Sequence, residues 1–206
     1  MIVKVYPDNP ADRHLNLIVD ILRKGGVIIY PTDTVYAFGC NMNNQSAIDK
    51  MLQVSGKGKS KSELSLICSG LSNISHYTIP FEKKIYKSMN KALPGPYTFI
   101  LNANNKVPKI FEKNKKTIGI RVPNNKIPTE VVERLGNPLV TTSIKIEGKE
   151  TEYLTDPSLI YERFGKQVDL VIDGGIGDNE ASTVLDCTGS EIEIIREGKG
   201  EVDLVA

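Results

Sequence analysis

Residues 26–40 read GVIIYPTDTVYAFGC: an apolar run ends in Pro31, and four of the next five residues, Thr32, Asp33, Thr34 and Tyr36, carry a hydroxyl or a carboxylate. VIIY has the length and branched content of a short buried strand. Pro31 ends that strand because proline offers no N–H to a ladder. The polar cluster is therefore expected at the strand's carboxyl end, where open α/β sheets bind ligands. Taken alone, the same cluster also fits a turn in which Asp33 and Thr34 satisfy backbone groups.

Helices and strands alternate to either side. Upstream, Asp8-Asn9-Pro10 offers a capping residue and a first-turn proline, and Leu15, Ile18, Val19 and Leu22 recur at helical spacing until Gly25-Gly26. Downstream, residues 45–54 predict a helix with Ala47, Ile48, Met51 and Leu52 on one face, and residues 64–68 (LSLIC) predict a strand. Residues 81–93 predict a helix closed by Pro94-Gly95-Pro96, and YTFILNA and TIGIRV predict strands flanking a lysine-rich segment. The last third predicts a helix near Thr129 to Leu135, the strand LVTTS, a helix near Pro157 to Phe164, and the strands VDLVID, STVLDC and EIEIIRE. The pattern is α/β. Consecutive strands with no helix between them argue for a mixed rather than an all-parallel sheet. With no repeat or linker in its 206 residues, the chain is expected to form a single domain over 1–206.

Composition narrows the class. No apolar run approaches the roughly 18 residues of a membrane span, and no signal-peptide pattern opens the chain, so a cytoplasmic protein without membrane partners is expected. Cys40, Cys68 and Cys187 are too widely spaced for a metal-ligand pair and too few for a disulfide framework; they predict buried free thiols. A net charge of +1 hides a segregation: residues 50–126 carry fifteen basic against three acidic side chains, net +12, and the remainder is −11. Such a basic middle suits a polyanion, either nucleotide phosphates or a nucleic-acid backbone, or else solvated helix faces.

Two phosphate motifs fail. Gly58-Lys59-Ser60 resembles the end of a Walker A loop, but the required earlier glycine is Gln53. Asp173-Gly174-Gly175-Ile176-Gly177 contains a GxG whose third glycine would fall on Glu180, so it reads as a turn.

The order of segments is more informative. PTDTVYAFGC, a lysine-rich loop before LSLIC, PGPYTFIL, TIGIRVP, LVTTS, STVLDC and REG resemble, in that order from Gly25 to Gly198, the YrdC-like family, and its YciO branch most closely. The resemblance implies a twisted, open, mixed α/β sheet with flanking helices around a concave, cationic cavity. It implies a threonylcarbamoyladenylate synthase, which joins L-threonine, bicarbonate and ATP into threonylcarbamoyl-AMP, releases pyrophosphate and supplies the modification of tRNA adenosine 37. It also implies possible partners in double-stranded RNA or tRNA, which founding members were described as binding. No covalent nucleophile is needed, so His14 and His76 are left as surface or packing residues. ATP enters as a substrate, Mg²⁺ is expected with it, and no protein-held metal is implied.

Position by position, the resemblance places Thr32 and Thr34 in the threonine and carbamate pocket and pairs Arg121 with the threonine carboxylate, with Ser182 and Thr183 closing the pocket. Ser143 matches the first serine of the family's SxN signature and would contact the nucleotide, with Arg196 near the adenylate. The sequence departs from the synthases where they carry a KxR pair, here Ser55 and Lys57, and where they carry the signature Asn, here Lys145. The catalytic positions implied are thus Lys57, Ser143 and Lys145, with Lys59 and Lys61 restoring phosphate-binding charge. With no C-terminal domain expected, residues 55–62 are the expected lid. An RNA- or nucleotide-binding paralogue without efficient synthesis is the alternative.

Overall fold

The computed structural model describes residues 1–56, 64–108, 117–145 and 153–204. The β-strands are β1 (Ile2–Lys4), β2 (Val27–Tyr30), β3 (Ala37–Asn41), β4 (Ser65–Ile67), β5 (Tyr97–Asn102), β6 (Thr117–Arg121), β7 (Leu139–Ser143), β8 (Leu170–Asp173), β9 (Thr183–Asp186) and β10 (Glu193–Arg196). The helices are α1 (Asp12–Arg23), α2 (Gln45–Val54), α3 (Leu71–Ile74), α4 (Lys83–Ala92), α5 (Lys126–Leu135) and α6 (Pro157–Phe164).

The described strands form one open, twisted, mixed sheet in the order β1-β8-β2-β3-β7-β4-β6-β5-β9-β10. Four of the described pairs are parallel (β1 with β8, β8 with β2, β4 with β6, β5 with β9) and the other five are antiparallel. Strand period sorts the core onto the two faces. Val27, Ile29, Phe38, Cys40, Leu66, Phe99 and Ile120 face a cluster completed by α2, α4 and α6. Ile28, Tyr30, Ala37, Ile67 and Leu139 face a second cluster completed by Leu15, Ile18 and Leu22 of α1 and Ile127, Val131 and Leu135 of α5.

That second cluster reaches β4 and, among the described residues, takes no member from β6, β5, β9 or β10. On the same face beyond it lie the partners in register: Ser65 opposite Gly119, Ile67 opposite Arg121, and Val184 opposite both Thr98 and Arg196. This half of the face is polar and carries the candidate site.

The expected elements differ from the structure in few places. Helix α1 begins at Asp12 rather than near Asp8; Asp8 and Asn9 form a turn, and Ala11 takes the N-cap position without a side-chain hydrogen bond. Helix α5 begins three residues before Thr129, because Asn125 caps Ile127 N and Pro128 sits in the first turn, where no N–H is required. AFGCN forms strand β3, antiparallel to β2, so residues 31–36 bridge a hairpin. Strand β1 and the short helix α3 are further elements that period alone does not signal. All three cysteines are free and buried. No helix of the described residues is long and apolar enough to cross a membrane.

Candidate functional site

The hairpin loop of residues 31–36 is held from within. Thr32 Oγ1 donates to Val35 O at 2.8 Å and accepts from Thr34 N at 3.0 Å, and the two threonine hydroxyls lie 3.0 Å apart. Local turn chemistry and site chemistry therefore use the same atoms. Thr34 Oγ1 also accepts from Arg121 Nη2 at 2.9 Å.

Arg121 ends β6 with 7% of its surface exposed. Its Nη2 makes a second bond to Asp33 Oδ1 at 3.0 Å, and the other oxygen of Asp33 accepts from Asn124 N at 3.0 Å. Arg121 Nε is buried and has no hydrogen-bond partner. An orphan donor on a desolvated cation is costly unless a ligand completes it. Burial pulls the guanidinium below its ordinary pKa, Asp33 pulls it back up, and Arg196 adds a repulsion that lowers it again.

Beneath the site, Tyr30 hydroxyl and Thr141 Oγ1 lie 2.7 Å apart, and Thr141 donates to Phe38 O at 2.8 Å. Gly39 leaves the room this needs: a Cβ there would come 2.6 Å from the Tyr30 ring.

Arg196 is aimed by a β-bulge. Glu193 and Ile194 pair with Asp186 and Leu185, but Arg196 pairs with Val184, so the register shifts at Ile195. Had Ile195 paired with Val184 in regular register, strand alternation would have turned Arg196 to the opposite face. Its Nε and Nη2 donate to Ser182 O at 3.2 and 2.8 Å, and Ser182 Oγ meets Thr98 Oγ1 at 2.8 Å.

Ser143 ends β7 on the same face, opposite Ala37, and is partly exposed. Lys145 lies two residues further on, in an isolated bridge to Tyr153. Thr183 is placed differently. It is fully buried, donates to Gly200 O at 2.6 Å and accepts from Gly198 N at 3.0 Å, so its hydroxyl is occupied by backbone. Lys57, Lys59, Lys61 and most of the expected lid lie outside the described residues.

A cavity of about 640 Å³ opens beside the hairpin loop, lined by Thr32, Asp33, Thr34, Asn125, Asp178 and Lys199 among others. The GGIGD turn forms its wall, with Gly175 at φ +93° and Tyr36 hydroxyl donating to Gly175 O at 2.7 Å. Motif reasoning left out Asp33 as a partner of Arg121, and also Thr98, Asp178 and Lys199. For Thr98 a signal existed, since alternation in YTFILN sets it opposite Tyr97 and Phe99. For Lys199 it lay in the flanking glycines of GKG. Nothing local marks Asp178.

The sequence profile of the Sua5/YciO/YrdC family, described as telomere recombination, matches residues 20–198. The chain is 40% identical over 200 residues to the uncharacterized protein YciO of Escherichia coli strain K12, covering 96% of this chain and 95% of that protein. The crystal structure of E. coli YciO superposes with a TM-score of 0.93 at 37% identity, covering 100% of this chain and 99% of that one. A threonylcarbamoyl-AMP synthase of Coxiella burnetii strain RSA 493 is 30% identical over 171 residues, 83% of this chain and 90% of the synthase. P. abyssi Sua5 complexed with L-threonine shares the fold with a TM-score of 0.87 at 22% identity, over 96% of this chain and 57% of its own.

Proposed function

The chain belongs to the Sua5/YciO/YrdC family, and on that premise we propose that it is an ATP-dependent synthase of the threonylcarbamoyl-AMP type. The observation that carries this reading is Arg121: a nearly buried guanidinium with an unpartnered Nε, bonded to the Thr34 hydroxyl on the half of the sheet face that also carries Thr98, Ser143 and Ser182. A planar cation with a free donor suits a carboxylate, and surrounding hydroxyls suit a hydroxylated amino acid such as threonine without adding charge. The synthase from C. burnetii and the Sua5 complex with L-threonine support the choice of amino acid.

In this reading the threonine amine and bicarbonate condense to a carbamate with loss of water. A carbamate oxygen then attacks the α-phosphorus of ATP, and the bond to the bridging oxygen breaks so that pyrophosphate leaves with the electron pair. Arg121 holds the amino-acid carboxylate, while Thr32, Thr34 and Ser182 hold its polar groups. Ser143 and Arg196 hold the nucleotide. Lys57, Lys59, Lys61 and Lys145 supply charge to the phosphates, as single-point cations rather than two-pronged ones. Among the described residues no group of three His, Cys, Asp or Glu side chains is gathered to hold a metal; Mg²⁺ would enter on the nucleotide's phosphates, its usual mode. The product's expected use is threonylcarbamoylation of tRNA adenosine 37. Threonine-dependent pyrophosphate release tests the reading; no release at high enzyme concentration refutes it.

A second reading, binding of double-stranded RNA or tRNA without efficient synthesis, is favoured by α4. Its outer face exposes Lys83, Lys84, Lys87 and Lys91 beside Tyr86, which is 50% exposed. Binding that weakens steeply with salt would support it, and no association with duplex RNA at low salt would remove it.

A further inference from the structure

We propose that Lys199 is a positioning residue that sets the pose of Arg121 through Asp33. Lys199 Nζ donates to the backbone carbonyl of Asp33 at 2.8 Å and pairs with Asp178 Oδ2 at 2.7 Å. Asp33 is thereby held at three atoms: its two carboxylate oxygens by Arg121 and Asn124 N, and its carbonyl by Lys199. The result is a linked series from the 640 Å³ cavity to the guanidinium that carries the orphan Nε: Asp178 pairs with Lys199, Lys199 holds the Asp33 carbonyl, and the Asp33 carboxylate pairs with Arg121.

The segment carrying Lys199 is built to present it. A Cβ at Gly198 would lie 2.3 Å from Ala181 O, and one at Gly200 would lie 2.4 Å from the Tyr97 ring, so only glycine lets the backbone lie this close. Lys199 N donates to Ala181 O at 2.9 Å, and Thr183 Oγ1 bonds both flanking glycines. Asp178 is fixed in turn, its N donating to Thr34 O at 3.1 Å and its Oδ1 accepting from Asn179 N and Glu180 N. Three segments distant in sequence, 31–36, 174–180 and 198–200, therefore meet at one ammonium group. A lysine serving stability alone would contribute little here, since the pair is 41% and 31% exposed.

The inference rests on the synthase reading only for the identity of Arg121's ligand, and its test has one arm independent of that reading. In the ligand-free protein, the Arg121 Nε–H cross-peak in a ¹H–¹⁵N spectrum is assigned by its loss in Arg121→Lys. Lys199→Met is expected to move or broaden that peak, and Lys199→Arg, which keeps charge and donors, to restore it. In the binding arm, Lys199→Met is expected to weaken threonine about tenfold while changing ATP affinity less than about twofold. An unmoved Arg121 peak, or equal losses for both ligands with a lowered melting temperature, would overturn the proposal. If the wild-type protein binds no threonine, the synthase reading fails, and the Arg121 peak alone decides the role of Lys199.

Discussion

Arg121 spends a single nitrogen, Nη2, on both Asp33 at 3.0 Å and Thr34 at 2.9 Å, and leaves its buried Nε without a partner. The ion pair is 9% and 10% exposed, so removing one partner strands the other in a poorly solvated place. Asp33→Ala is expected to cost about 3–5 kcal/mol of folding stability. Urea unfolding measures it, and a loss under about 1 kcal/mol would show that solvent reaches Arg121 far more than its exposure suggests.

The bulge at Ile195 yields a second expectation. Arg196→Ala removes a charged contact and should weaken nucleotide about ten- to a hundredfold. Deleting Ile195 should cost far less, because Arg196 then follows Ile194 directly and strand alternation alone sets it opposite Val184 on the same face. Nucleotide titration of both variants checks this; a deletion that binds as poorly as Arg196→Ala would mean that the bulge does more than set the face of Arg196.

Thr183→Val keeps shape but removes the hydroxyl that serves both Gly198 and Gly200. A stability loss of about 1–3 kcal/mol is expected, together with the selective threonine defect of Lys199→Met. Thr183→Ser should retain both functions. Thermal unfolding and ligand titration of the pair separate a clamp from a direct ligand contact, since loss of binding with unchanged stability would mark the latter.

Burial pushes Cys40, Cys68 and Cys187 each up to about 12. At pH 8 the native thiols are therefore almost wholly protonated and slow with a disulfide reagent, and all three should react once the chain is unfolded. Fast stoichiometric labelling of the native protein would contradict that assignment. Cys187 should be the first to react, since it lines a 480 Å³ surface pocket with Ile79, Phe81 and Thr188.

Most of the fold was legible because its signals are local. Residues 45–54 and 157–164 form helices where period placed them, and VIIY, LVTTS and TIGIR form strands. What escaped lacked such a signal. Strand β3 is a strand because β2 and β7 flank it, although its sequence AFGCN carries no clean alternation. Within the site, Thr34 and Arg121 proved to be direct partners, and Ser182 and Arg196 likewise. The grouping of Lys199 with Asp33 and Asp178 depends on chain segments up to 166 residues apart, and no local pattern encodes it. Thr183 shows the converse: within STV, adjacent Ser182 and Thr183 face opposite ways, so neighbours in one motif do different work.

Synthase activity is tested most directly by incorporation of labelled bicarbonate into an adenylate, with ATP, Mg²⁺ and L-threonine present, comparing the wild-type protein with Arg121→Ala and Ser143→Ala. The expected result is a threonine-dependent labelled adenylate that both variants lose. Absence of product from wild-type protein that still binds ATP would contradict it and leave the Arg121 face as a binding site without synthesis.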